Sequence, residues 1–186
     1  YFSCARNQRQ LMKIDPVDNG NDLFAISDVF PPELLTRLQT KNLSQYRWKR
    51  ENMQADLLRY KILYDDTDIL KEFDTFINKK DIIDQLSDTF STTFYGIDCN
   101  FWWDKPGYTI TNHPDNPAVK HVIQIFLWPN QTNLGTIFYN KDESVRKQFD
   151  YQVNTGYAMK NVYQIHGMTQ PVPKDSIRFS LYGHIG

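Results

Sequence analysis

Two histidines and an aspartate in this chain have the types and spacing of a metal site. In "NHPDNPAVKH" (112–121), His113 and Asp115 are separated by a single proline. In an extended segment, side chains two apart point the same way, with their Cα atoms about 6.5–7 Å apart. An imidazole nitrogen and a carboxylate oxygen placed so can both reach one divalent ion. Pro114 fixes its own φ and pushes His113 toward the extended region, which stiffens the pair. A third ligand is expected from His166 in "VYQIHGMTQPV", where an aromatic and β-branched run ends at a glycine turn.

Twelve positions after His166 (178 − 166), "SIRFSLYGHI" sets Arg178 inside an otherwise regular strand pattern. Ile177, Phe179 and Leu181 share one face of it, and Arg178, Ser180 and Tyr182 share the other. A buried arginine is costly unless paired, and a carboxylate ligand held bidentately would pair it. Two histidines and one carboxylate with open positions are the ligand set of non-haem Fe(II) oxygenases. His121 and His184, the remaining histidines, fall outside the pattern.

Two different texts must position these residues. In "DVFPPELLTRLQTKNL", Asp28 is a capping candidate, Pro31 or Pro32 suits the first helical turn, and Leu34, Leu35 and Leu38 share a face. "DTDILKEFDTFINKK" and "KDIIDQLSDTFSTTFYG" repeat the pattern through Ile69, Leu70, Phe73, Ile77 and then Ile82, Ile83, Leu86 and Phe90, the last closing at Gly96. These helices are expected to buttress a sheet. From Asp98 onward the chain reads as short strands rich in aromatic and β-branched residues and broken by Gly, Pro and Asn: "CNFWWDKPG", "YTITNHPD", "HVIQIFLWP", "GTIFYN", "GYAMKNVYQIHG" and "SIRFSLYGHI". The expected class is α+β: a single domain over 1–186, mainly helical support at 28–96, with a closed or double-sheet β unit at 98–186.

"GYTITNHPDN", "IQIFLWPNQTNLGTIFYN" and "YQIHGMTQPVPKDSIRFSLYGHI" together resemble the double-stranded β-helix core of the Fe(II)/2-oxoglutarate-dependent dioxygenases, most of all the prolyl-hydroxylase-like branch. The resemblance covers roughly residues 98–186. It implies a jelly-roll core in which His113, Asp115 and His166 bind Fe(II), leaving positions for 2-oxoglutarate and O2. It implies that Arg178 pairs with the far carboxylate of 2-oxoglutarate, assisted by Ser180. Gln124, in the inward series Val122, Gln124, Phe126, and Tyr108, after Gly107, are further candidates for the co-substrate pocket. The implied reaction is hydroxylation of a peptidyl residue or small molecule, with succinate and CO2 as co-products; the intact Asp115 favours this over halogenation. Lys174 in "VPKDS" is an alternative anchor, because a lysine serves in some branches. A catalytically silent β-helix binding module and a cupin-like metalloprotein are the competing readings.

Composition bounds the partners. The chain has 186 residues, formal charge −1, and 15% aromatics, which suits a folded globular protein. No basic block marks a nucleic-acid binder, although an enzyme acting on one flipped base needs little charge. Cys4 and Cys99 form no CxxC pair, and no apolar run approaches the roughly 20 residues that span a bilayer. A reducing, cytoplasmic setting is the expectation. The segments 52–68 and 142–152 read as loops or lids, and Trp102 and Trp103 as core or ligand-stacking rings.

Overall fold

The computed structural model describes residues 12–50, 58–129 and 133–186. Strands β1 (Lys13–Pro16) and β2 (Leu23–Ser27) open the described chain, followed by helix α1 (Pro32–Gln39) and the hairpin β3 (Arg47–Arg50) and β4 (Arg59–Leu63). Helices α2 (Ile69–Ile77) and α3 (Lys80–Phe90) come next. Then follow β5 (Ile97–Asp104), β6 (His121–Phe126), β7 (Thr136–Tyr139), β8 (Val145–Phe149), β9 (Thr155–Lys160), β10 (His166–Met168) and β11 (Arg178–Ile185). An eight-stranded sheet runs in the order β1-β2-β9-β6-β11-β5-β4-β3, and a three-stranded sheet in the order β10-β7-β8. Neighbouring strands are antiparallel throughout. The fold is mostly sheet with few helices, two sheets facing each other in a jelly roll.

The alternation along β6 and β11 builds two apolar layers. Val122 and Phe126 face Phe138, Phe149, Tyr157 and Met159 between the sheets. Ile123, Ile125, Phe179 and Leu181 face the other way, against Leu70, Phe73, Ile77 and Leu86 of α2 and α3. The helices are therefore the buttress their spacing suggested. Asp68 caps α2 by accepting from the Leu70 N–H at 2.8 Å. Asp28 does not cap α1: it lies four positions before the first helical residue at φ 55° and pairs with Lys13 at 2.6 Å, and Pro31 stands at the N-cap. Nor does α3 run to Gly96; Ser91 takes a left-handed conformation (φ 50°) and ends it five residues earlier.

The first half holds more strand than its text suggests. Of the segment 52–68, residues 52–57 lie outside the described residues, while Arg59–Leu63 is a strand; Val145–Phe149 within 142–152 is another. "YTITNHPD" forms no strand beyond one antiparallel bridge, His113 to His166. Among the described residues no helix is long and apolar enough to cross a membrane.

Candidate metal centre

His113 and His166 meet through their backbones before their side chains are considered. The His113 N–H donates to the His166 carbonyl at 2.9 Å, and the His166 N–H returns the bond at 3.0 Å. The two rings then stand 4.7 Å apart. Gly167 permits this approach, because a Cβ there would lie 2.6 Å from Asn112 Oδ1 and 3.2 Å from the Asn112 nitrogen. Asp115, beyond the rigid Pro114, turns its carboxylate into the same space. One donor atom from each of His113, Asp115 and His166 lies within 4.8 Å of the others.

Hydrogen bonding leaves the right atoms free. His113 Nδ1 lies 2.9 Å from the Thr111 carbonyl and His166 Nδ1 3.1 Å from the Gln164 carbonyl. A carbonyl only accepts, so each Nδ1 carries the proton and each Nε2 presents a lone pair. The two Nε2 atoms stand 3.8 and 3.7 Å from Asp115 Oδ1. The Tyr182 hydroxyl donates to the other oxygen, Asp115 Oδ2, at 3.2 Å. Burial holds the His166 pKa below its ordinary value against the opposing pull of Asp115, which favours the neutral, ligating ring. Two neutral imidazoles and one oriented carboxylate form a donor set suited to a divalent transition metal.

The loop before His166 is fixed from behind. Gln164 donates to the carbonyls of Asp22 (3.0 Å) and Lys160 (3.1 Å) and accepts from Arg146 at 3.0 Å. Arg146 is itself clasped by Asp18 and Asp22 at 2.7 and 2.6 Å.

The structure places Arg178 inside, 2% exposed, on the face shared with Ser180 and Tyr182. Its burial is met by the protein itself. Arg178 donates through Nη1 to Asp104 Oδ2, and through Nε to the Leu134 carbonyl at 2.8 Å. Asp104, fully buried, also accepts from Arg59 Nε and Nη2 at 2.7 and 3.0 Å. These three residues are register neighbours across β4, β5 and β11, one polar rung on the inner face. Burial alone would raise the Asp104 pKa, but the two guanidinium groups outweigh it and hold the carboxyl below its ordinary range. Two cations share one carboxylate, so the rung keeps a surplus positive charge.

Gln124 and Ser180 are joined to each other. Gln124 Nε2 donates to Ser180 Oγ at 3.1 Å, while Gln124 Oε1 accepts from Tyr157 at 2.7 Å and Thr136 at 3.4 Å. Tyr108 is a buried core ring, its face 4.6 Å from the Arg59 guanidinium carbon. Lys174 is exposed in a turn ahead of β11. His121 packs between Phe90 and Phe94 on the helical side, apart from the ligands. Trp102 shares the inner face with Asp104, and Trp103 packs against the helical core.

Sequence reasoning passed over Asp104 and Arg59. Asp104 ends a strand in which Asn100, Trp102 and Asp104 alternate inward, a usable signal; Arg59 lay in a stretch without clean strand alternation.

No family model matches the chain, and no curated protein matches it in sequence. Solved structures match it in shape. A Pseudomonas putida prolyl-4-hydroxylase superposes with a TM-score of 0.61 at 13% identity, covering 88% of this chain and 91% of its own. An oxidoreductase of the 2OG-Fe(II) oxygenase family from Burkholderia pseudomallei reaches 0.64 at 12% identity, over 89% of this chain and 84% of its own. This is the 2-oxoglutarate/Fe(II) oxygenase fold. The Streptomyces hygroscopicus protein HygX, which has nickel, 2-oxoglutarate and hygromycin B bound, shares the oxygenase fold at TM-score 0.62 and 6% identity, over 89% of this chain and 82% of its own. The oxygenase fold is a double-stranded β-helix, as the resemblance implied.

Proposed function

We propose that the chain is a non-haem Fe(II)- and 2-oxoglutarate-dependent dioxygenase that hydroxylates a C–H bond of a peptidyl residue, such as proline, or of a small molecule. The observation that carries this reading is the His113–Asp115–His166 cluster, its donor atoms within 4.8 Å of one another inside an oxygenase fold. Bound together, Fe(II) and 2-oxoglutarate supply oxidation of an unactivated C–H bond by O2, with succinate and CO2 as co-products.

The chain's own groups then have defined tasks. His113 and His166 offer Nε2, and Asp115 offers Oδ1 while Tyr182 holds its second oxygen. Arg178 receives the far carboxylate of 2-oxoglutarate, and the surplus charge of the Arg59–Asp104–Arg178 rung supplies the attraction. Because Gln124 donates to Ser180 Oγ, the Ser180 proton is left to point at that same carboxylate. The apolar walls of Val122, Phe126, Phe138 and Tyr157 exclude water from the reacting groups.

Anaerobic protein loaded with Fe(II) tests the proposal. Adding 2-oxoglutarate is expected to produce a weak visible charge-transfer band, and O2 then to yield succinate. Asp115→Ala and His166→Ala are expected to abolish both signals. Iron binding without a response to 2-oxoglutarate would favour the cupin-like reading, and failure to bind either would favour a silent module.

A further inference from the structure

The paired strands β3 and β4 extend the large sheet beyond the barrel and carry charge of one sign, the two acidic residues of the hairpin, Glu51 and Asp56, lying in its connecting segment outside the described residues. The two strands hold Arg47, Lys49, Arg50, Arg59 and Lys61 and no carboxylate. Ile62 is buried in the helical core layer, so by alternation Arg59, Lys61 and Leu63 face the other way. Register carries that face inward: Arg59 pairs with Asp104, and Lys61 with Trp102 and so with Ser180 on β11. The wall thus continues the inner face that holds Arg178.

Lys49 and Lys61 are direct cross-strand partners on this wall. Like charges placed so are destabilising. Among the described residues neither stands within ion-pair distance of a carboxylate, whereas Arg59 has Asp104. The half-buried Trp102 and the Leu63 side chain, whose residue is 41% exposed, add apolar surface beside the two lysines. A local choice that costs stability is expected where function repays it.

We infer that this wall binds an acidic polypeptide, so that the substrate is a peptide segment bearing carboxylates beside the residue to be oxidised. The inference rests on the proposed dioxygenase function and narrows its substrate. Two features favour a polypeptide over a small anion. First, Tyr182, whose hydroxyl touches Asp115, lies two strands across and two residues along from Lys61, about 12 Å at ordinary strand spacing and rise. An extended chain covers that distance in about three to four residues, a span suited to a peptide rather than to a free amino acid. Second, among the described residues β3 is the last strand of its sheet, and its outer edge offers main-chain hydrogen bonds to an extended segment.

The test uses the full chain loaded anaerobically with Fe(II) and 2-oxoglutarate, and labelled hexaglutamate as probe. Hexaglutamate is expected to bind, to weaken with added salt, and to lose at least tenfold in affinity in Lys49→Glu and Lys61→Glu. Lys80→Glu, on the helical side, is expected to leave binding unchanged. The double variant Lys49→Gln/Lys61→Gln, with circular dichroism as a check of folding, removes charge without reversing it and is expected to weaken binding likewise. Equal binding of hexaglutamine, unaltered binding in the lysine variants, or binding of tripolyphosphate with none of hexaglutamate would overturn the inference. The charge-transfer band is read separately in Lys61→Glu. A band retained with peptide affinity lost supports the wall; a band absent from the unaltered protein counts against the dioxygenase reading, while the hexaglutamate titration still decides the wall.

Discussion

At the scale of single residues, the site depends on which atom each side chain has left over. Asp115 has one oxygen bonded by Tyr182 and one facing the histidines, so Tyr182 sets how the carboxylate presents itself. Tyr182→Phe removes that bond while keeping the ring, and Fe(II) affinity measured by anaerobic titration is expected to fall about tenfold. Asp104 carries a heavier burden, as the single carboxylate between two inward arginines. Asp104→Asn leaves both guanidinium groups without their counter-charge, and denaturant unfolding is expected to show a loss of about 3–5 kcal/mol. The same residue fixes an acid limit. Its folded pKa lies below the ordinary aspartate value, so its stabilisation is complete above about pH 4 and disappears as pH falls through the folded pKa. Stability measured against pH is expected to fall less steeply at the acid end in Asp104→Asn. The His113–Asp115 pair was legible from its spacing and the inward side of Arg178 from strand alternation, both local rules, whereas His166 was found as the third ligand such a pair requires and through the family resemblance. The partner of Arg178 was not legible: it lies 74 positions earlier, and only the pairing of β5 with β11 joins them.

At the scale of elements, the short strands succeed through close backbone approach as much as through side chains. Gly135, just before β7, lies so near the Phe149 carbonyl that an added Cβ would sit 1.5 Å from its oxygen. Gly135→Ala forces β7 away from β8, with β10 on the other side of β7, and is expected to cost at least 3 kcal/mol, on the order of the largest single-residue losses, and to weaken Fe(II) binding as well. Both are read from an unfolding curve and an anaerobic iron titration. The helices were legible because apolar residues recur at three and four along α2 and α3. The β3–β4 hairpin was not, because Arg47–Arg50 is wholly exposed and "RYKIL" mixes charge with apolar residues on a strand with one buried position. Strand patterns are readable where one face is buried, and β3 buries neither. The segment around His113 failed in the opposite sense: a polar, proline-punctuated stretch that resembles a strand end makes a single bridge.

At the scale of the whole molecule, the division of labour follows the two apolar layers. The layer against α2 and α3 is largely hydrophobic, with His121 buried among its rings, whereas the layer between the sheets admits Gln124, Ser180, Arg178 and Asp104. The α+β reading holds, yet strands occur from Lys13 onward, so support and barrel are interleaved along the chain rather than divided near Asp98. The large sheet takes β1 and β2 at one edge and β3 and β4 at the other from the first half, a long-range arrangement that periodicity within a window does not encode.

The paired backbone bonds between His113 and His166 have one more consequence. A receptor whose two imidazoles are already tied together has little left to organise when its ion arrives, so loading should resemble filling a mould rather than setting a cast. Chelation is accordingly expected to strip the iron while leaving the far-ultraviolet circular dichroism spectrum unchanged, with any drop in thermal midpoint tracking free metal concentration by mass action.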